Sequence, residues 1–165
     1  MRAIISIGSN LGDLEENLRT ALRHLRLLSI TPLKTSSVWR TAPIGFDHAV
    51  PEFCNAVVII ESDLEAEVLL EKLQAIEQII GRPRYSGGGY SSRVIDLDII
   101  DFGGQNFVSS KLILPHPRAH LRNFVLSPLK EVVPSFRFLH RPESLEELIE
   151  KAAAETVRKT SRLTL

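Results

Sequence analysis

The sequence predicts an α+β fold with a mainly antiparallel sheet, on the order of its elements and on its turn chemistry. The elements read strand, helix, strand, strand, helix, strand, strand, helix. Strands therefore follow one another without a helix between them, which the regular alternation of a doubly wound parallel sheet does not allow. Gly103-Gly104, set between two apolar runs, marks a hairpin. A ferredoxin-like α/β/α sandwich accommodates both features. With 165 residues, 44% of them hydrophobic, the chain carries enough apolar surface for one core, and a single domain over 1–165 is expected.

The first strand is the β-branched run Ala3 to Ile7, stopped by Gly8. The loop Gly8-Ser9-Asn10-Leu11-Gly12-Asp13 leads into a helix of about four turns. Asp13 with Glu16 makes an acidic capping box there, and Leu14, Leu18, Ala21, Leu22, Leu25 and Leu28 share one face. Lys34 to Thr41 reads as a second strand and Phe53 to Glu61 as a third, with a long loop of about residues 42–52 between them. Asp63 is placed to cap a second helix with the stripe Leu64, Val68, Leu69, Leu73, Ile76 and Ile80, ended by Gly81.

Residues 82–93 hold three arginines, two tyrosines and the triplet Gly87, Gly88, Gly89, the composition of a lid. Val94 to Phe102 is a strand interrupted by carboxylates, and Phe107 to Leu114 is expected to return beside it. Phe124 to Val133 is apolar enough for a buried helix despite Pro128. Ser144 with Glu147 caps a C-terminal helix drawn over 144–156.

Composition narrows the function. Twenty basic and twenty acidic residues cancel, so no global field draws the chain to nucleic acid or an anionic membrane. One cysteine, Cys54, excludes an internal disulfide framework and a thiolate zinc site. The apolar start is too short for a signal peptide and no run reaches membrane-spanning length, so a cytoplasmic protein is expected.

Asp96-Leu97-Asp98 puts two carboxylates on one strand face with Cα atoms ~6.7 Å apart, while Ile95, Leu97 and Ile99 point into the core. Hard oxygen ligands without neighbouring Cys or His suit magnesium and substrate phosphates. A solvated edge strand accounts for the same pattern without a metal. Arg82, Arg84 and Arg93 precede the acidic pair, and Arg118 and Arg122 follow it. Forked donors beside a metal pair are what phosphoryl chemistry requires, and surface ion pairs are the plainer alternative. Neither a P-loop nor a Rossmann fingerprint is present.

His116, between Pro115 and Pro117, is either aimed at a phosphate or simply part of a turn. Phe53 and Phe124 offer a clamp for a flat heterocycle, with Asn55 on the Phe53 face, or they are ordinary core. These residues leave open a magnesium-dependent hydrolase and a ligand-sensing module beside a phosphotransferase.

Over residues 1–134 the collinear motifs resemble the 6-hydroxymethyl-7,8-dihydropterin pyrophosphokinase family of folate biosynthesis. They are the loop at residues 8–13, Ser36 to Gly45, Pro51 to Val57, Gly81 to Arg84, Arg93 to Asp98, Leu114 to Arg118 and Arg122 to Leu126. The resemblance implies that ATP donates a pyrophosphoryl group to the pterin alcohol, with Asp96 and Asp98 holding two magnesium ions. It implies that Arg82 and Arg93 act on the phosphates, and that Gln74, Glu77, Arg84, Tyr90, Ile99, His116 and Arg122 bind ATP. It further implies that Phe53 and Phe124 stack on the pterin, with Asn55, Gly8, Thr41, Pro43 and Ile44 around the ring. Small-molecule partners alone and a monomer are the matching expectations.

One stretch departs from the family pattern. The common Trp-Gly-Pro-Arg ahead of the acidic strand is here Tyr90-Ser91-Ser92-Arg93. A more flexible lid costs more entropy to order, so weaker nucleotide affinity or slower closure is expected.

Overall fold

A computed structural model of the chain describes residues 1–42, 51–81 and 93–164. Arg2–Ser9 forms β1, a run of apolar and β-branched residues nearly all buried. Leu14–Leu28 forms α1, where the Asp13 carboxylate accepts from the Glu16 N–H at 3.1 Å. Leu18, Ala21, Leu22 and Leu25 bury as the periodicity predicts, with Leu14 and Leu28 packed at the margin. Gly12, at φ 72°, supplies the left-handed turn that starts this helix.

The stretch Lys34 to Thr41 is two short strands, β2 (Lys34–Thr35) and β3 (Trp39–Thr41), and not one. The Ser36 hydroxyl accepts from the Val57 N–H and donates to the Ser37 carbonyl, so a side chain takes over the ladder at that point. Phe53–Glu61 forms β4, and Ala66–Ile80 forms α2. Asp63 does not cap α2: the preceding turn is closed by the Ser62 hydroxyl on the Leu64 N–H, and the cap position falls to Glu65 without a side-chain bond. The buried stripe shifts accordingly to Ala66, Leu69, Leu73 and Ile76, and Val68 turns to solvent.

Asp96–Phe102 forms β5. The hairpin after it is real but stands apart. Phe107–Val108 (β6) and Ile113–Leu114 (β7) pair in a sheet of their own, and the Leu114-Pro115 bond is cis. Gly103 and Gly104, at φ 62° and 69°, turn the chain away there while Asp101 accepts from the Gly104 N–H. Asn123–Val132 is α3, which carries Pro128. The predicted capping box of Ser144 and Glu147 opens α4 (Leu145–Lys151). This helix stops five residues short of the expected 156, where its apolar stripe ends at Ala152. The tail then returns as β8 (Val157–Lys159) on the free side of β3, a strand the sequence reading missed.

The main sheet runs β5-β1-β4-β3-β8, with β2 also on β4, and all its pairings are antiparallel. α1 and α2 cover one face over Ile5, Ile7, Ala56, Val58, Leu97 and Ile99. α3 and α4 cover part of the other over Ile4, Val57, Ile59 and Ile100. Among the described residues, no helix is long and apolar enough to cross a membrane.

Candidate active site

Beyond Ile4 and Val57 the face shared with α3 turns polar. Register places Asp96, Gly8, Asn55 and Trp39 in one row across β5, β1, β4 and β3, with Asp98 opposite Ser6 one step along. Residues paired directly across antiparallel strands share a face, so this end of the sheet carries a polar row, half-exposed at Asp96 and Trp39 and buried at Asn55. Leu97 and Ile99, which alternate with the carboxylates, are buried on the opposite face as expected.

Gly8 sits where a Cβ would meet the Asn55 Oδ1 at 3.0 Å, so the floor of the site depends on the missing side chain. The buried Asn55 amide donates to the Thr41 Oγ1 at 2.5 Å. That bond fixes which way the Asn55 carbonyl points. Phe53, half-buried, lies two residues along the same strand face.

β5 is an edge strand, pairing only with β1 among the described residues. Asp96 and Asp98 are accordingly half-exposed, not buried beneath a neighbouring strand. The Arg93 guanidinium meets the Asp96 Oδ2 at 2.6 Å. Arg93 is in turn held by Asn10, a fully buried residue of the Gly8 to Asp13 loop. Asn10 Oδ1 accepts from the Arg93 N–H at 2.6 Å, and its own N–H donates to the Arg93 carbonyl at 3.0 Å. The sequence reading did not single out Asn10; a polar residue between Gly8 and Gly12 was the available signal.

The segment at Pro115 to Pro117 docks on the outer edge of β5, where the His116 N–H donates to the Ile100 carbonyl at 2.9 Å. His116 Nδ1 accepts from the Arg118 N–H at 3.2 Å, so its neutral ring carries the proton on Nε2. Burial, then the charges of Arg122 and Arg118, push its pKa down to about 4. It is a neutral hydrogen-bond donor at physiological pH. Arg122 lies 5.4 Å from the centre of the Phe124 ring, a cation–π contact that ties the two together at the start of α3.

The nucleotide-side residues divide. Glu77 is buried on α2 and its carboxylate accepts from the Leu97 N–H at 2.8 Å, so it braces β5 from the side of α2. Gln74 is exposed one turn earlier. The Ile99 side chain is only 2% exposed in the core, which leaves its main chain alone for any ligand at the edge. Pro43, Ile44, Arg82, Arg84, Tyr90 and the glycine triplet lie outside the described residues.

Oxygen-only donors on β5 match the preference of magnesium for a few carboxylates completed by phosphate. Among the described residues no group of three or more His, Cys, Asp or Glu side chains is placed to hold a metal. Two half-exposed carboxylates, with the Arg93 guanidinium on Asp96, stand at one end of this polar row.

Residues 4–134 match the family model described as 7,8-dihydro-6-hydroxymethylpterin-pyrophosphokinase, and the chain belongs to that family. It is 41% identical over 131 residues to the Bacillus subtilis 2-amino-4-hydroxy-6-hydroxymethyldihydropteridine pyrophosphokinase, covering 79% of this chain and 77% of that one. Against the Haemophilus influenzae protein of the same name identity is 38% over 152 residues, covering 92% of each. The fold is similar to the solved Plasmodium falciparum HPPK-DHPS wild type with pteroate, with a TM-score of 0.71 at 14% identity. That likeness covers 93% of this chain but 42% of the other, so this chain spans under half of the solved one.

Proposed function

We propose that this chain transfers a pyrophosphoryl group from ATP to 6-hydroxymethyl-7,8-dihydropterin in folate biosynthesis, giving AMP and the pterin diphosphate. The row Asp96, Gly8, Asn55 supports this reading, because a carboxylate suited to a metal and an amide suited to a ring edge share one sheet face two strands apart. The hydroxymethyl oxygen gives up its proton to solvent and bonds to the β-phosphorus as the bond from that phosphorus to the α,β-bridging oxygen breaks, the oxygen leaving with AMP.

When bound, magnesium at Asp96 and Asp98, two ions in this reading, neutralises phosphate charge and aligns the transferred group. Arg93, seated by Asn10, takes up negative charge as AMP departs, together with Arg82. His116 donates from Nε2 and Arg122 from its guanidinium to the phosphates. Gln74, Glu77, Arg84, Tyr90 and the Ile99 main chain serve the nucleotide. Phe124 and Phe53 stack on the pterin, Asn55 bonds its ring edge, and Thr41 orients Asn55, with Gly8, Pro43 and Ile44 completing the pocket. In this reading the chain acts as a cytoplasmic monomer on small-molecule substrates.

A coupled AMP-release assay with and without the pterin tests this. Pterin-dependent AMP is expected in wild type and none in Asp98→Ala, which keeps its fold because the carboxylate is half-exposed on an edge strand. AMP release that ignores the pterin, or an active Asp98→Ala at saturating magnesium, refutes the assignment.

A further inference from the structure

α3 begins with a conflict. Its cap position is held by Arg122, a cation at the positive end of a helix dipole, with no side-chain oxygen to accept from the first turn. The missing acceptor arrives from the tail. Glu155, between α4 and β8, accepts from the Phe124 N–H at 3.1 Å through its Oε2. Its main-chain carbonyl accepts from the Asn123 Nδ2 at 2.9 Å, while Asn123 Oδ1 accepts from the Ser127 hydroxyl at 2.6 Å.

Glu155 is held in place by the strand that follows it. β8 pairs with β3 at Thr41↔Val157, Arg40↔Arg158 and Trp39↔Lys159, and Lys159 Nζ meets the Glu131 Oε1 at 3.1 Å near the far end of α3. Glu131 also accepts from the Ser37 N–H and hydroxyl and from the Trp39 Nε1. The tail thus grips α3 at both ends and β3 along its edge. All of it lies beyond residue 134, where the family match stops.

We propose that Glu155 is a positioning residue for the pterin side of the site, its carboxylate capping α3 so that Phe124 projects from a fixed backbone. This rests on the reading of Phe124 as a pterin wall. The carboxylate supplies α3 with the acceptor that the guanidinium of Arg122, a donor only, lacks. Its negative charge also opposes that of Arg122, so its removal acts on the two substrates in opposite directions.

Binding of the dihydropterin and of a non-hydrolysable ATP analogue, measured separately with magnesium, tests this. Glu155→Ala is expected to weaken pterin binding about fivefold, the scale of a lost helix cap, with nucleotide affinity unchanged or slightly higher. Glu155→Gln, which keeps the reach and an acceptor oxygen, restores most of the pterin affinity. Glu155→Asp, charged but one methylene shorter, does not. Pterin affinity within about twofold of wild type in Glu155→Ala, while Phe124→Ala loses it, overturns the role of Glu155 and spares that of Phe124. Equal weakening of both substrates reduces Glu155 to a structural part and also overturns it. No loss in Phe124→Ala removes the pterin wall and the inference with it. Should Glu155→Ala not fold, the Gln and Asp variants decide: rescue by charge and not by reach refutes the cap.

Discussion

The clasp between Asn10 and Arg93 makes a quantitative prediction. In Asn10→Ala the main-chain bond from residue 10 to the Arg93 carbonyl survives, whereas the 2.6 Å bond from the Arg93 N–H to Oδ1 is lost. Leaving a part-buried donor without that acceptor costs about 2 kcal/mol, the middle of the usual range. If the cost falls on the seated state of Arg93, the ratio of seated to unseated side chain drops roughly thirtyfold, since ~1.4 kcal/mol is a factor of ten. The same energy lowers the melting temperature by about 4–8 °C for a chain of this size. Turnover measured by AMP release at saturating substrates is expected to fall by up to that roughly thirtyfold factor. Pterin affinity is expected to hold, because Asn55 and Thr41 are bonded to each other and not to Asn10. Wild-type turnover in a variant with a lowered melting temperature would show that the clasp serves stability alone, and would refute the claim that it seats Arg93 for the reaction.

Gly8→Ala places a methyl 3.0 Å from the Asn55 Oδ1, so the amide must shift or the strands part. Crowding of this kind costs about 1–2 kcal/mol, and pterin binding by fluorescence titration is expected to weaken roughly five- to thirtyfold with ATP binding little changed. Unchanged pterin affinity would mean that Asn55 does not read the ring.

His116 gives a pH signature. Its folded pKa of about 4 lies below the ordinary histidine value of 6.5, so between these values the unfolded chain takes up a proton that the folded chain refuses. Stability from this group is present above about 6.5 and is lost as pH falls toward 4. Asp101 and Glu155, whose pKa values burial raises, work in the opposite sense on the acid side. The difference between wild type and His116→Gln in urea melts at pH 7 and pH 5 isolates the histidine. An equal change in both proteins would contradict the buried, neutral ring.

The parts of this fold that were legible in the sequence are those in which one side-chain pattern dictates one outcome. The leucine stripe of α1, the capping box at Ser144 and the alternation of Ile95, Asp96, Leu97 and Asp98 each name a buried face directly. What stayed hidden depends on partners distant in the chain. β8 is a strand because β3 offers it an edge, and nothing in Val157-Arg158-Lys159 announces that pairing. Glu77 looks like a surface residue in its helix, yet it is buried because the Leu97 N–H on an edge strand requires an acceptor. In the candidate site, Asp96, Asp98, Arg93 and His116 stand out in the sequence by residue type, while Asn10 and Glu155, which bond to Arg93 and Phe124, became visible only with their partners.

A strand with an open side invites another chain to add to it, and among the described residues β5 has a strand partner on one side alone. Here the invitation is withdrawn by residues that the proposed function assigns to the site. Glu77 and the His116 main chain occupy two of its outward hydrogen-bonding positions, and the paired aspartates repel a second acidic strand. The working edge of this protein is therefore also its guard against aggregation, so replacing both carboxylates with apolar side chains would trade an idle enzyme for a sticky one.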